Sequence, residues 1–410
     1  MATATKFDYK VRDLSGGIKS GTLEAESQAQ VATKLKSMGY APISISQVGG
    51  GGGMSKEISF GSFGKKRVTL KDLSIFARQF ATMVNSGLSL LRALSILTDQ
   101  TDNKELARIL GEVRNDIETG NSLSSSMAKH PEAFPPLMVN MFKAGEIGGF
   151  LDSVMLQIAN NYEAEVKLRG KVKSAMTYPI VVLCIAVIAV IGMLLFIVPT
   201  FVGLFKTLGG QLPAPTRILV ALSSGLKVGV VPLVVLIFVG LSVWKKVKRK
   251  PEVRAVVDPL KLKLPVFGDL FRKIALTRFA RNLGTMMQSG VPILQSLDIV
   301  AETTGNIVLE RATRAVQESV RTGESLAKPL LDHPVFPPMV VQMMAVGEET
   351  GALDTMLHKI AEFYDQEVES TTESLTTLLE PLMIAFLGAI VGSMIVALYM
   401  PIFKIFDLIK

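Results

Sequence analysis

Three stretches of this chain carry no charged residue at all: Ile180 to Phe205, Val228 to Trp244 and Pro381 to Phe403. A bilayer core about 30 Å thick needs roughly 20 apolar residues in a helix, so the first and third stretches are long enough to span it and the middle one sits at the short end of the range. Composition points the same way. With 49% hydrophobic and 20% charged residues and a mean hydropathy of +0.39, the chain is too apolar for a soluble protein and too charged to be wholly buried in lipid.

The basic residues fix a direction. Lys167, Arg169, Lys171 and Lys173 precede the first stretch, and Lys245, Lys246, Lys248, Arg249 and Lys250 follow the second, whereas residues 206–227 between them carry only Lys206, Arg217 and Lys227. By the positive-inside rule that loop is external, the N-terminus and residues 245–380 are cytoplasmic, and residues 404–410 form an external tail. The flanks also account for the formal charge of +8, since each flanking cation gains about 1 kcal/mol beside anionic headgroups. The bilayer is the expected partner of this charge, and nucleic acid is not. Met1 to Lys10 has no basic segment followed by an apolar core, so the reading includes no cleaved signal peptide. One cysteine, Cys184, and three histidines, His130, His333 and His358, leave no basis for a disulfide or a structural metal, and no cofactor is expected.

The chain also repeats itself. Phe76, Ala77 and Arg78 recur at Phe279, Ala280 and Arg281, a shift of 279 − 76 = 203, and Ser86-Gly87, Gly120 and His130-Pro131 recur at the same shift. From Phe134-Pro135-Pro136 onward the shift is 202, giving Phe336-Pro337-Pro338, then Gly347-Glu348 for Gly145-Glu146 and Leu353-Asp354 for Leu151-Asp152. Pro179, Pro199 and Phe201 recur at Pro381, Pro401 and Phe403, so the duplicated unit is a bundle plus one exit span. The middle span then returns the chain, and both copies face the cytoplasm in the same orientation, unlike an inverted transporter repeat. Apolar spacing at Leu73, Phe76, Ala77, Phe80 and Val84, with Gly and Pro punctuation after it, divides each copy into about six helices. The last helix of each is expected to run into its span with a kink at Pro179 or Pro381.

The expected organisation is mainly α: a small N-terminal α/β module over residues 1–48 and a Gly-rich linker over 49–67. A first cytoplasmic six-helix bundle (68–178), a span (179–205), the external loop (206–227) and a second span (228–244) follow. A second bundle (245–380), a third transmembrane helix (381–403) and the tail complete the chain. In the module, Phe7, Tyr9 and Val11 alternate as a strand, Ser15 to Gly17 turn, Ile18 to Leu23 pair back, and a helix near Gln28 to Met38 and a strand at Pro42 to Ile45 follow. Gly49 to Gly53 then make a tether, with no phosphate-loop spacing over them.

These features resemble a known family: the duplicated Phe-Pro-Pro, Gly-Glu and Leu-Asp elements, the three spans, and Phe7-x-Tyr9 with Asp13, Gly21, Leu35, Gly39 and Pro42. The chain resembles the bacterial inner-membrane platform proteins of type II secretion and type IV pilus machines, the GspF/PilC family. The resemblance implies a non-enzymatic platform, at least dimeric, that couples a cytoplasmic hexameric secretion ATPase to the assembly of pilin or pseudopilin subunits alongside other inner-membrane assembly proteins.

The candidate contact site is Gly145, Glu146, Gly149, Leu151 and Asp152 with its twin Gly347, Glu348, Gly351, Leu353 and Asp354. A glutamate near a helix C-terminus is disfavoured by about 0.3–1 kcal/mol, so its presence in both copies suggests a cationic partner, a subunit or the ATPase. The packing alternative is that the glycines cap one helix, Asp152 helps start the next, and the glutamate is satisfied within the bundle. Glu380, standing where the first copy has Tyr178, is a candidate at the membrane edge, or else a carboxylate that simply reaches water. His130 and His333 read as packing or capping groups. The rival class, a transporter or channel component, lacks midplane charges in all three stretches, and intramembrane hydrolysis lacks its carboxylates or histidine there.

Overall fold

Residues 5–12, 18–25, 28–48, 67–207, 213–248 and 250–408 are described by the computed structural model, whose contacts separate residues 1–65 from residues 66–410. Each unit is taken by itself.

In the N-terminal unit, strand β1 (Thr5–Arg12) pairs antiparallel with both β2 (Ile18–Ala25) and β3 (Ala41–Val48), giving the order β2-β1-β3, and α1 (Gln28–Ser37) links β2 to β3. Tyr9 lies opposite Gly21. A Cβ at Gly21 would stand 2.7 Å from the Tyr9 hydroxyl, so only glycine lets that ring lie across the neighbouring strand. Phe7 and Val11 from β1 and Val31 and Leu35 from α1 form its small core. The expected turn at Ser15 to Gly17 and the Gly49 to Gly53 tether lie outside the described residues.

The first repeat consists of α2 (Leu70–Asn85), α3 (Leu90–Gln100), α4 (Lys104–Glu118), α5 (Leu123–Ala128), α6 (Pro136–Gly148) and α7 (Leu151–Gly192). Its helix starts are written in polar side chains. Thr69 and Asp72 form a capping box, with the Thr69 Oγ1 accepting from the Asp72 N–H at 3.2 Å and the Asp72 Oδ2 accepting from the Thr69 N–H at 2.9 Å. Asn103 and Ser122 cap α4 and α5. After α7 come a π-helical turn over Met193–Ile197 and α8 (Val198–Thr207). A proline lacks the N–H of a regular turn and crowds the carbonyl four residues back, and the wider turn just before Pro199 relieves that clash without ending the helix.

After α9 (Ala214–Val247), the second repeat comprises α10 (Pro251–Lys263), α11 (Phe267–Gln288), α12 (Ile293–Thr303) and α13 (Ile307–Arg321). A 3-10 turn (Lys328–Asp332), α14 (Pro338–Thr350) and α15 (Leu353–Leu408) complete it. The motifs that revealed the duplication are core contacts in both copies. Phe134 of the first Phe-Pro-Pro is buried with its ring centroid 6.0 Å from that of Phe76, and its twin Phe336 is buried 5.1 Å from Phe279. In each motif the second proline opens the next helix, where a missing N–H costs nothing. One continuous hydrophobic core runs through both copies.

Among the described residues, two helices are long and apolar enough to cross a membrane, Leu151–Gly203 and Leu353–Pro401. At 53 and 49 residues each is about 75–80 Å long at 1.5 Å per residue, more than twice a bilayer core. Both pass through their prolines, Pro179 and Pro381, as single helices.

The middle segment differs from the expected loop followed by a straight span. Residues 214–227 are helical, and α9 bends by 67° between Ala214–Gly229 and Val234–Trp244. Pro232 lies at the break, and the part after it is about 16 Å long, too short to cross alone. Among the described residues a third span therefore exists only if the bent pair acts as one. The C-terminal residues expected as a tail continue α15 to Leu408.

Candidate functional site

The repeated Gly-Glu and Leu-Asp elements form the corner where the penultimate helix of each copy hands over to the long one. Gly145 is buried in the angle. A Cβ there would meet Val154 Cβ at 3.1 Å and Leu151 Cα at 3.2 Å, and at Gly347 it would meet Leu353 Cα at 2.9 Å. Gly149 and Gly351 end their helices with φ of 74° and 72°, a left-handed conformation that other residues adopt at a cost. The Gly149 N–H donates back to the Gly145 carbonyl. Both corners are thus shaped by close backbone approach, and Leu151 and Leu353 begin the long helices immediately beyond them.

Glu146 turns inward from this corner. Its carboxylate accepts from the Leu123 N–H at 2.5 Å and the Ser124 N–H at 3.1 Å, and the Ser124 hydroxyl donates to it as well. Glu348 does the same in the second copy, accepting from the Leu326 N–H at 2.7 Å and the Ala327 N–H at 3.2 Å. The positive partner that a helix-end glutamate calls for is present inside the chain, as backbone amides at the start of the preceding short helical segment. Asp152 and Asp354 sit in the first turns of α7 and α15, where the helix dipole favours them. Asp152 is exposed, as is Ile147, 79% accessible, on the outer side of the same corner.

Glu380 is exposed on α15 and pairs with no other described residue. His130 is largely buried, its two ring nitrogens each 3.6 Å from a carboxylate, Glu112 and Glu132. His333 caps the 3-10 turn.

The structure adds two features that the candidate list omits. The repeated arginine of Phe-Ala-Arg ties α2 to α7 and α11 to α15. Arg78 donates to Glu163 at 2.6 Å and to Asn160, and Arg281 donates to Asp365, the counterpart of Glu163 at 163 + 202 = 365. The hydrogen bond from Arg78 holds the Glu163 carboxyl below its ordinary range. The second feature is a polar seam between the copies, where α7 lies on α11. Asn161 donates to Asn282 Oδ1 and Thr285 Oγ1, both at 3.2 Å, Gln157 accepts from Ser289, and Glu165 pairs with Arg278 at 2.7 Å. Beside it is a cavity of about 240 Å³ lined by Asn160, Gln288, His358 and Glu362 among others.

Comparison with known proteins places this architecture. The family model described as type II secretion system (T2SS), protein F matches residues 76–199 and again 279–401, the two copies, and a second model for the N-terminal domain of the same protein matches residues 1–46. The chain belongs to the type II secretion system protein F family. Its relatives carry two kinds of name. It is 43% identical over 400 residues to the type IV pilus assembly protein PilC of Thermus thermophilus, covering 97% of this chain and 98% of the relative. It is 40% identical to the PilC of Myxococcus xanthus, covering 98% and 95%. A type II secretion system protein F from Vibrio cholerae is 33% identical, covering 98% and 99%. The family resemblance read from the repeated motifs is therefore established along almost the whole length.

Proposed function

We propose that the chain is a non-enzymatic platform of the bacterial inner membrane that couples a cytoplasmic hexameric ATPase to the assembly of pilin or pseudopilin filaments. The observation that carries this reading is the continuity of Leu151–Gly203 and Leu353–Pro401, each a single helix from a bundle corner into an apolar segment. A displacement applied at Gly149 or Gly351 has no loop in which to dissipate before it reaches lipid. The names of the relatives, pilus assembly protein and secretion system protein F, favour the same role.

In this reading both bundles and the N-terminal unit are cytoplasmic, the C-terminus is external, and the bent α9 serves as the returning span. The two corners are the contact sites. Glu146 and Glu348 act there as positioning residues that hold the corner rigid, and Asp152, beside exposed Ile147, offers the charge that meets a partner. Co-purification of the detergent-solubilised chain with the host's pilus or secretion ATPase tests it, comparing the wild type with Asp152→Lys. The reading predicts retention of the hexamer by the wild type and a loss of at least about tenfold for the variant, a difference of roughly 1.4 kcal/mol or more. Failure of the wild type to retain the hexamer would refute the coupling.

A further inference from the structure

The two long helices leave their bundles under different cover. In the second copy α11 begins at Phe267 and its first turns reach α15, where Leu270 joins Val368 and Leu375 in a small buried cluster together with Leu168 of α7. In the first copy α2 begins only at Leu70, the counterpart of Lys273 (70 + 203 = 273). The stretch of α11 from Phe267 to Arg272 therefore has no helical counterpart among the described residues. Past Leu168, α7 lacks the cover that α15 receives from its own repeat, and a groove of about 400 Å³ remains between α7 and α11.

The chemistry of this groove is graded along α7. Arg169, Lys173, Thr177 and Val181 stand four residues apart and form one row on the helix, with Val172, Met176 and Ile180 in the row beside it. Ile274 and Arg278 of α11 make the other wall. Toward the apolar segment the first row passes from cation to hydroxyl to aliphatic side chain over about 18 Å, close to the roughly 20 Å of one leaflet with its headgroups. The second copy has no such order. The counterparts of Arg169, Lys173 and Thr177 at a shift of 202 are Thr371, Leu375 and Leu379, none of them charged. Leu375 is 2% accessible where Lys173 is exposed.

Charge says what fits the groove. Glu165 accepts from both arginines, from Arg169 at 2.6 Å and from Arg278 at 2.7 Å, and Lys173 pairs with no other described residue. Three cations against one carboxylate leave +2 at the head of an otherwise apolar groove, which suits an occupant with a negative head and a hydrocarbon body. An anion without that body would leave Val172, Met176 and Ile274 uncovered. The chain's own segment before α2 carries Lys65, Lys66 and Arg67, so charge does not favour it as the occupant.

We propose that the groove between α7 and α11 holds an anionic phospholipid, its phosphate beside Lys173 and the two arginines and an acyl chain along Met176, Ile180 and Ile274. The site rests on α7 entering a bilayer and does not depend on the coupling to an ATPase.

Native mass spectrometry of the full-length chain, released from membranes in detergent, tests it with phosphatidylglycerol and phosphatidylcholine of identical acyl chains. Retention of the chain in membranes through an alkaline wash first establishes that it is embedded, so a missing lipid preference then counts against the groove alone. The proposal predicts one phosphatidylglycerol held at least about fivefold more tightly than phosphatidylcholine. Arg169→Gln with Lys173→Gln should abolish that preference. Thr177→Trp, which fills the groove and leaves every cation in place, should weaken phosphatidylglycerol by about the same factor. Lys245→Gln with Lys246→Gln, on the flank of α9, should change it less than about twofold. Equal retention of the two lipids by the wild type would overturn the proposal, and so would an equal loss from both charge-removing pairs, which would mark a diffuse field at the membrane edge. Undiminished retention by Thr177→Trp would overturn the groove as the seat. Displacement by the same concentration of glycerophosphoglycerol, the headgroup without chains, would assign the site to a soluble phosphate ester, and a retained polypeptide in place of lipid would assign it to a protein; either result contradicts the proposal.

Discussion

At one position of the repeated long helix the first copy has Asn161, 6% accessible, and the second has Phe363, 41% accessible. A buried amide and an exposed aromatic ring reverse the usual order. The reversal shows that equivalent places in a duplicated fold do different work. Asn161 lies in a seam that is complete within the chain, where a polar group finds Asn282 and Thr285. Phe363 lies on the matching face of α15, which the other described residues leave exposed. The two bundles share a core and a corner, and they diverge on the faces that decide what each touches.

The largest expected effect bears on the shared corner. Glu146→Ala removes an ionised acceptor from three donors and Glu348→Ala from two, so thermal unfolding in detergent should show losses of about 3 and about 2 kcal/mol. Equal and negligible losses would mean that the corners do not rely on these carboxylates. The next contrast is the seam itself. Asn161→Leu strands buried Asn282 and Thr285 and should cost about 1–3 kcal/mol, whereas Phe363→Asn should change the stability of the single chain by no more than about 0.5 kcal/mol. Gly149→Ala and Gly351→Ala, each forcing a side chain into left-handed backbone, should cost about 1–2 kcal/mol in either copy, and a difference between the two would break the equivalence of the corners.

The smallest effect is one of pH. Glu163 has its pKa lowered by the Arg78 hydrogen bond, from an ordinary value of 4.5. Its contribution is therefore fully present above that value and is lost as pH falls through the lower folded-state pKa. The pair is exposed, so the contribution should be about 0.2–1 kcal/mol. An acid-side stability profile of Glu163→Gln should lack it.

Much of this was legible in the residues. Phe76, Phe134 and their twins announce the core because the same aromatic and proline spacing occurs twice, and two independent occurrences leave little room for chance. The partner of Glu146 was not legible. It is a pair of backbone amides at Leu123 and Ser124, and backbone donors carry no residue type by which a sequence could reveal them. The seam was hidden for a different reason. Asn161 and Phe363 look like ordinary divergence between copies until burial shows that the mismatch itself marks the contact. The bend in α9 had a signal, Pro232, that the apolar run around it concealed.

The most direct measurement of the account as a whole is a count of surface filaments in a host lacking this chain, with the rate of ATP hydrolysis by the isolated ATPase hexamer measured alongside. A platform that couples but does not catalyse predicts that filaments disappear, that hydrolysis by the isolated hexamer continues, and that the wild-type chain restores the filaments. Filaments assembling at the normal level without the chain would contradict it.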